Sequence, residues 1–229
     1  MGYFPFFMDM ERLQGLIIGG GNIAAEKLEK LLPAGASLKV VAPEIKQEIL
    51  VAAGVAEIKG TAEQQNADRE PEGNECTEPE GSECTEPEKP GRVEVIRREY
   101  RTEDLDEVDY VIAATGIREI NDKVCREAKQ RRIPVNVVDD PENCDFIFPS
   151  VVRRGRMVVG VSTGGAGPRV AVRLRKQIEE MLPEDIEEIL DILARERIRA
   201  KKEIPDPVQR RKYLMDLADR LLAGLKHGK

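Results

Sequence analysis

The chain has no tryptophan, a single histidine (His227), and only four tyrosines and five phenylalanines in 229 residues. So few rings leave little for stacking on bases, which argues against a nucleic-acid partner. One histidine close to the last residue offers no His/Cys metal site of the usual kind. The four cysteines, Cys76, Cys84, Cys125 and Cys144, show neither CxxC spacing nor the density of a disulfide scaffold, so free thiols are expected. No stretch approaches the roughly 20 apolar residues that span a bilayer. The start, "MGYFPFFMDMERL", has an acid where a leader would carry its apolar segment. The expected setting is the cytoplasm, without membrane association.

What the chain has in quantity is charge, unevenly spread. The formal net charge is −7, yet residues 61–90 hold ten acids against Arg69 and Lys89, a local −8, which leaves +1 for the remainder. Within that stretch "EPEGNECT EPEGSECT EPEKPG" repeats an eight-residue unit. Proline, glycine and glutamate at this density cannot bury a core, so a disordered insert over about 61–91 is expected. Cys76 and Cys84, eight apart, could bind a soft metal with the glutamates, but a solvated repeat is the favoured reading. Residues 151–178 are the opposite: Arg153, Arg154, Arg156, Arg169, Arg173, Arg175 and Lys176 face no acid. That surface suits a polyanionic small molecule.

"LQGLIIGGGNIAAEKLEKLLPAGASLKVVAPEI" reads as strand, glycine turn, helix and strand, one complete βαβ unit. Short strands follow over 93–100, 109–116 and 133–139, the last two separated by a helix over about 118–131. Alternating strands and helices predict a parallel sheet covered on both faces. After Asp139 the pattern changes to a short apolar segment, a basic turn, a strand ending in a second glycine turn, and a helix opened by Pro168. Two polar, amphipathic helices over about 184–203 and 206–225 complete the chain.

"GGGNIA", Gly19 to Ala24, matches G-x-G-x-x-A between a strand and a helix, the placement that gives a Rossmann-type dinucleotide fingerprint its meaning. Gly19 is expected to allow the tight turn and Gly21 to let a pyrophosphate approach the backbone. Glu44 lies near the distance at which an acid holds a ribose 2′-hydroxyl, although it follows Pro43; with no arginine there, NAD is preferred to NADP. Thr115 and Gly116 end a strand whose carboxyl end should face the same crevice, though an ordinary strand-to-helix turn accounts for them equally well. Asp139 should project toward that crevice, where a carboxylate can take a proton as hydride leaves a substrate. A turn ahead of Pro141 is the competing explanation, and Asp140 suits it better than Asp139. In "VSTGGAGPR", Ser162, Thr163, Gly164, Arg169 and Arg173 could together hold carboxylates, unless the segment is simply a solvated basic helix.

"GLIIGGGNIAAEKLEKLL", "VDYVIAAT", "VNVVDDPENCDFIFPSVVRRG" and "VSTGGAGPRVAVRLRKQIE", in this order, resemble the precorrin-2 dehydrogenase/sirohydrochlorin ferrochelatase family, the dehydrogenase-chelatase part of siroheme synthase. The match covers almost everything except residues 56–91. The resemblance implies NAD-dependent oxidation of precorrin-2 to sirohydrochlorin, followed in some members by Fe²⁺ insertion. It implies a homodimer in which residues 115–150 exchange contacts between subunits. By motif, Asp139 is the catalytic aspartate; with no His/Cys metal site, any Fe²⁺ insertion would rely on carboxylates, Asp139 being the first candidate. Asn22, Ile23, Pro43, Glu44 and Thr115 contact the cofactor, and Thr163 stands where some relatives are phosphorylated. Two departures stand out: Gly116 replaces a usual acid, and the loop before Arg92 is enlarged.

The expected organisation is an NAD-binding domain over 1–114, its last strand and a dimerisation segment over 115–150, and a basic, helical region over 151–229. The methyltransferase portion fused in some siroheme synthases is absent from these residues, so precorrin-2 is expected from another protein. A non-catalytic NAD-binding sensor on the same fold is the alternative, since fold alone does not decide function.

Overall fold

The computed structural model describes residues 2–54 and 91–224; the acidic repeat with Cys76 and Cys84, and His227, lie outside the described residues. The chain divides into two compact units, Pro5–Ile147 and a second formed by Phe148 onward together with the first few residues. Residues 115–147, expected as a separate segment, group with the first unit.

The first unit runs β1 (Gln14–Ile18), α1 (Asn22–Leu31), β2 (Ser37–Val41), α2 (Gln47–Ala52), β3 (Arg92–Ile96), β4 (Tyr110–Ala113), α3 (Arg118–Arg131) and β5 (Val135–Val137). The strands form one parallel sheet in the order β3-β2-β1-β4-β5. All four residues of β4 are buried, as a central parallel strand covered on both faces requires. Leu16, Ile18, Val111, Ala113, Val135 and Val137 pack with Val124, Cys125 and Ala128 of α3 in one cluster. Each fully buried aliphatic side chain of this kind contributes about 1.5–3 kcal/mol.

Three strands are shorter than the apolar pattern predicts, β4 among them, which spans Tyr110–Ala113 rather than 109–116. β3 stops at Ile96 rather than near residue 100 because Arg98 turns away to grip Asp104, with Nη1 donating to Oδ2 at 2.8 Å and Nη2 to Oδ1 at 2.5 Å. The same carboxylate accepts from the Arg101 N–H at 2.8 Å, fixing the connection that delivers the buried Leu105. β5 starts only after Pro134 and ends at Val137. The short helix α2 had no periodic signal long enough to announce it.

In the second unit β6 (Ser150–Arg154) and β7 (Met157–Val161) form an antiparallel hairpin about Gly155, and α4 (Pro168–Met181) packs against both strands. The helices α5 (Ile186–Glu203) and α6 (Pro207–Ala223) form a hairpin. Asp206 caps α6 by accepting from the N–H groups of Val208 and Gln209 at 2.7 and 3.1 Å, while the Arg210 guanidinium donates to the Ile204 carbonyl at 2.8 Å. Tyr213 on α6 donates to Glu196 on α5 at 2.6 Å.

The glycine turn after β1 is set by close backbone contact. Gly19 has φ +124°, and a Cβ there would overlap the Ala114 carbonyl oxygen and lie 3.1 Å from the Thr115 nitrogen. A Cβ on Gly20 would overlap the Glu44 carbonyl oxygen; the Gly20 carbonyl accepts from the Lys46 N–H at 2.9 Å. Gly21, the N-cap of α1, would meet nothing within 4 Å. The two later glycines of the turn therefore have opposite requirements.

Gly20→Ala should lower stability in urea unfolding by about 1–3 kcal/mol, the usual cost of forcing atoms into a filled site. Gly21→Ala should cost about 1 kcal/mol or less, a cap effect only; equal losses would show that the approach to Glu44 does not hold the turn. Arg98→Ala should lower stability in urea unfolding at pH 7 by leaving the half-buried Asp104 carboxylate short of donors. Burial pushes Asp104 upward, but the Arg98 fork and the Arg101 N–H outweigh it and hold the carboxyl below its ordinary value. A carboxyl depressed in the folded state stabilises above its unfolded pKa of about 3.9 and loses that contribution as pH falls through the folded value. The gap between wild type and Arg98→Ala should accordingly shrink below pH 4; a gap independent of pH would refute the charge-assisted pairing.

Candidate functional site

The sheet's register aligns the strand ends. Ile18 lies opposite Val41 and Ala113, and Ala113 opposite Val137. Backbone bonds extend the row one residue further: Gly19 N–H to the Val41 carbonyl at 3.0 Å, Ala114 N–H to Ile18 at 2.8 Å, and Val138 N–H to Ala113 at 3.0 Å. The residues expected from sequence for the first unit all lie just beyond this row. Gly19, Gly21, Asn22 and Ile23 follow β1; Pro43 and Glu44 follow β2; Thr115 follows β4; Asp139 follows β5. The direction of strand order reverses between β1 and β4, and crevices at such switch points are where ligands of open α/β sheets bind.

A dinucleotide fits these residues. The exposed Gly21 leaves open space where a Cβ would stand, at the start of a ten-residue helix whose first N–H groups point outward. Glu44 is exposed at the end of the second strand's connection, its backbone lying against Gly20. Gly20, hidden as a variable position of the fingerprint, is therefore what brings the Glu44 turn to the glycine turn. The only sequence signal for it was its place in the middle of an uninterrupted run of three glycines.

Asp139 is placed differently from expectation. β5 ends at Val137, and Asp139 does not close the strand but occupies the turn itself, exposed and with φ +61°. The turn is closed by the Asp140 N–H donating to the Val137 carbonyl at 3.3 Å, while Pro141–Asn143 form a single 3₁₀ turn. The Asp140 carboxylate accepts from the Asn143 amide at 2.8 Å, the part of a turn residue. Asp145 is structural: its carboxylate accepts from the Val135 N–H at 3.0 Å and its own N–H donates to the Val135 carbonyl at 2.8 Å.

Lys27 on α1, four residues after Ile23 and on the same face, was not singled out from sequence. Burial pushes its ammonium below the ordinary lysine value and Lys30 adds to this, while Glu26, Cys144 and Asp139 oppose it. A half-buried cation thus lies within electrostatic reach of the Asp139 carboxylate. The Cys144 thiol, raised by burial, is held by the Val137 N–H at 3.2 Å and has a packing role. Cys125 and Cys144 are both free.

Ser162, Thr163, Gly164, Arg169 and Arg173 lie in the second unit, the first three in the turn before α4 and the arginines on that helix. The Ser162 hydroxyl accepts from the Gly164 N–H at 3.2 Å and that of Thr163 from the Gly167 N–H at 3.2 Å. Gly164 and Gly165 take left-handed conformations, φ +60° and +87°, and the turn leads into α4, where Arg169 and Arg173 are exposed. Among the described residues no group of three or more His, Cys, Asp or Glu side chains could hold a metal ion. No helix among them is long and apolar enough to cross a membrane.

The family described as "Putative NAD(P)-binding" matches residues 6–150, and that described as "Sirohaem biosynthesis protein central" matches 154–181. Siroheme synthase 1 of Yersinia enterocolitica is 34% identical over 213 residues, covering 93% of this chain and 38% of that protein. A siroheme synthase of Pseudomonas fluorescens is 35% identical over 231 residues, covering 98% and 42%. The chain thus spans about two fifths of the length of these curated relatives. The solved structure titled "SirC, precorrin-2 dehydrogenase" matches the fold with a TM-score of 0.65 at 20% identity, covering 94% of this chain and 89% of that one. With an open glycine cradle at the switch point and a family match over its whole first unit, the chain belongs to the putative NAD(P)-binding family of sirohaem biosynthesis, the dehydrogenase-chelatase family that its motifs resemble.

Proposed function

We propose that the protein is an NAD-dependent dehydrogenase that oxidises precorrin-2 to sirohydrochlorin. The observation that carries this reading is the single row of strand ends in which an exposed carboxylate, Asp139, is aligned with an open glycine cradle. Bound NAD would supply the hydride acceptor. Gly19, Gly21, Asn22 and Ile23 shape the cradle for its diphosphate, Pro43 and Glu44 take the ribose, with Glu44 accepting from a hydroxyl, and the Thr115 turn forms the facing wall. Asp139 takes the proton that accompanies the departing hydride and, being exposed, returns it to water.

The substrate's peripheral carboxylates suit the acid-free stretch 151–178, with Ser162, Thr163, Gly164, Arg169 and Arg173 as the groups proposed to receive them. Exposed Val170, Leu174 and Met181 recur on α4 at helical spacing, which supports a homodimer by offering apolar surface to a second copy. Free Cys125 and Cys144 suit the reducing cytoplasm, the proposed setting. Iron insertion, implied for some family members, would use the same Asp139 carboxylate with Fe²⁺ as a substrate.

Asp139→Asn should lower the anaerobic rate of NAD reduction by precorrin-2 by about 10²- to 10⁴-fold, the usual worth of a positioned base, with NADH affinity retained. A wild-type rate in this variant would remove Asp139 from the reaction. A purified wild-type protein that binds NAD but never reduces it with precorrin-2 would instead favour the sensor reading.

A further inference from the structure

Asn121, in the second turn of α3, is one of two buried polar residues among the described ones, the other being Asn136. Its side chain is given over to Thr115. Oδ1 accepts from the Thr115 N–H at 3.2 Å and from the Thr115 hydroxyl at 2.6 Å, and Nδ2 donates to the Thr115 carbonyl at 3.1 Å. This pairing fixes the orientation of the amide, because the reversed one would set two donors against each other. One buried side chain thus satisfies both backbone groups of a residue that has just left the sheet and has no strand partner.

The same peptide is the floor under the glycine turn. Gly19 lies so close to the Ala114 carbonyl and the Thr115 nitrogen that not even a methyl group fits between them. Whatever fixes Thr115 therefore fixes the surface on which Gly19 rests. The hydroxyl of Thr115 is committed as well: its one proton is shared between Asn121 Oδ1 and the Ile117 carbonyl at 2.9 Å, and it accepts from the Ile117 N–H at 3.2 Å. It has no proton left for a ligand, and one lone pair at most. The unpaired donor of this turn is the N–H of the exposed Gly116, which has no partner among the described residues.

We propose that Asn121 is a positioning residue for the dinucleotide, holding the Thr115 turn against Gly19, and that the Thr115 hydroxyl acts on the ligand through Asn121 rather than by direct donation. This rests on the reading of the Gly19–Thr115 crevice as the cofactor site. Removing the amide leaves two part-buried backbone groups unpaired, so the turn relaxes and the crevice loses its shape before any catalytic group is touched.

The test is a double-mutant cycle on NADH binding, followed by fluorescence titration of the full chain, with circular dichroism confirming the fold of each variant. Asn121→Ala should raise the NADH dissociation constant on the order of tenfold, raising KM for NAD while kcat at saturation stays within about twofold. Thr115→Val should weaken binding less, and adding it to Asn121→Ala should change nothing further. Asn121→Asp keeps the acceptor but loses the donor to the Thr115 carbonyl, so it should fall between wild type and alanine. It also serves as the decisive variant where alanine fails to fold. Wild-type affinity in a folded Asn121→Ala or in Asn121→Asp, or additive losses in the double variant, would overturn the inference while leaving the cofactor site standing. A wild-type chain that binds neither NADH nor NADPH would overturn both.

Discussion

Two backbone contacts that exclude any side chain organise this protein: Gly19 on the Ala114–Thr115 peptide and Gly20 on the carbonyl of Glu44. They join the turns that follow three different strands, β1, β4 and β2, at one end of the sheet. Parallel pairing alone brings the strand ends level, but it leaves the chain beyond them undetermined. The contacts draw those loops together before α1 begins, and the open space at Gly21 follows directly after them.

Much of this was legible from residue pattern. The continuous apolar runs Leu16–Ile18 and Tyr110–Ala113 announced buried parallel strands, and α3 occupies the span its periodicity predicts. The limits of β3 and β5 were not legible, because they depend on side chains reaching across the fold. Arg98 looks like one more polar strand residue until Asp104 is seen beside it. Gly20, Lys27 and Asn121 were missed for a related reason. Each acts through a partner distant in sequence, and no local pattern marks the distance. In the second unit only one strand was expected after the basic turn; the apolar segment before it proves to be its partner, and the few buried residues, among them Val152, Ala171, Ile189 and Ala200, give sequence periodicity little to detect.

The edge of the sheet shows why "NVVDDPENCDFIF" is so dense in polar groups. β5 is an edge strand of three residues, and its outward backbone groups must be satisfied without another strand. Asp145 takes the Val135 N–H, the Cys144 sulfur takes the Val137 N–H, and the amide of Asn136 donates to the Phe146 carbonyl at 2.9 Å. A stretch of side chains thereby substitutes for a sixth strand. Asp145 and Asp140 are engaged in closing the edge and its turn, while Asp139 and the exposed Glu142 stand outside this arrangement.

Backbone conformation alone would not have picked it out. Among the described residues, three non-glycine ones have positive φ: Glu107, Arg132 and Asp139. Each costs on the order of 1–2 kcal/mol for an ordinary side chain, somewhat less for aspartate, which tolerates the left-handed region. Arg132 is explained by the end of α3, where its N–H returns to the carbonyls of Ala128 and Lys129, and Glu107 lies in the approach to β4. Both belong to the amino ends of strands, away from the row where ligands of such sheets bind. Asp139 alone combines the strained turn with the carboxyl end, and the bonds on either side of it, Val138 to Ala113 and Asp140 to Val137, hold it there. That an exposed residue at the carboxyl ends of the strands is kept in a costly conformation by its neighbours is what supports the catalytic role proposed for Asp139.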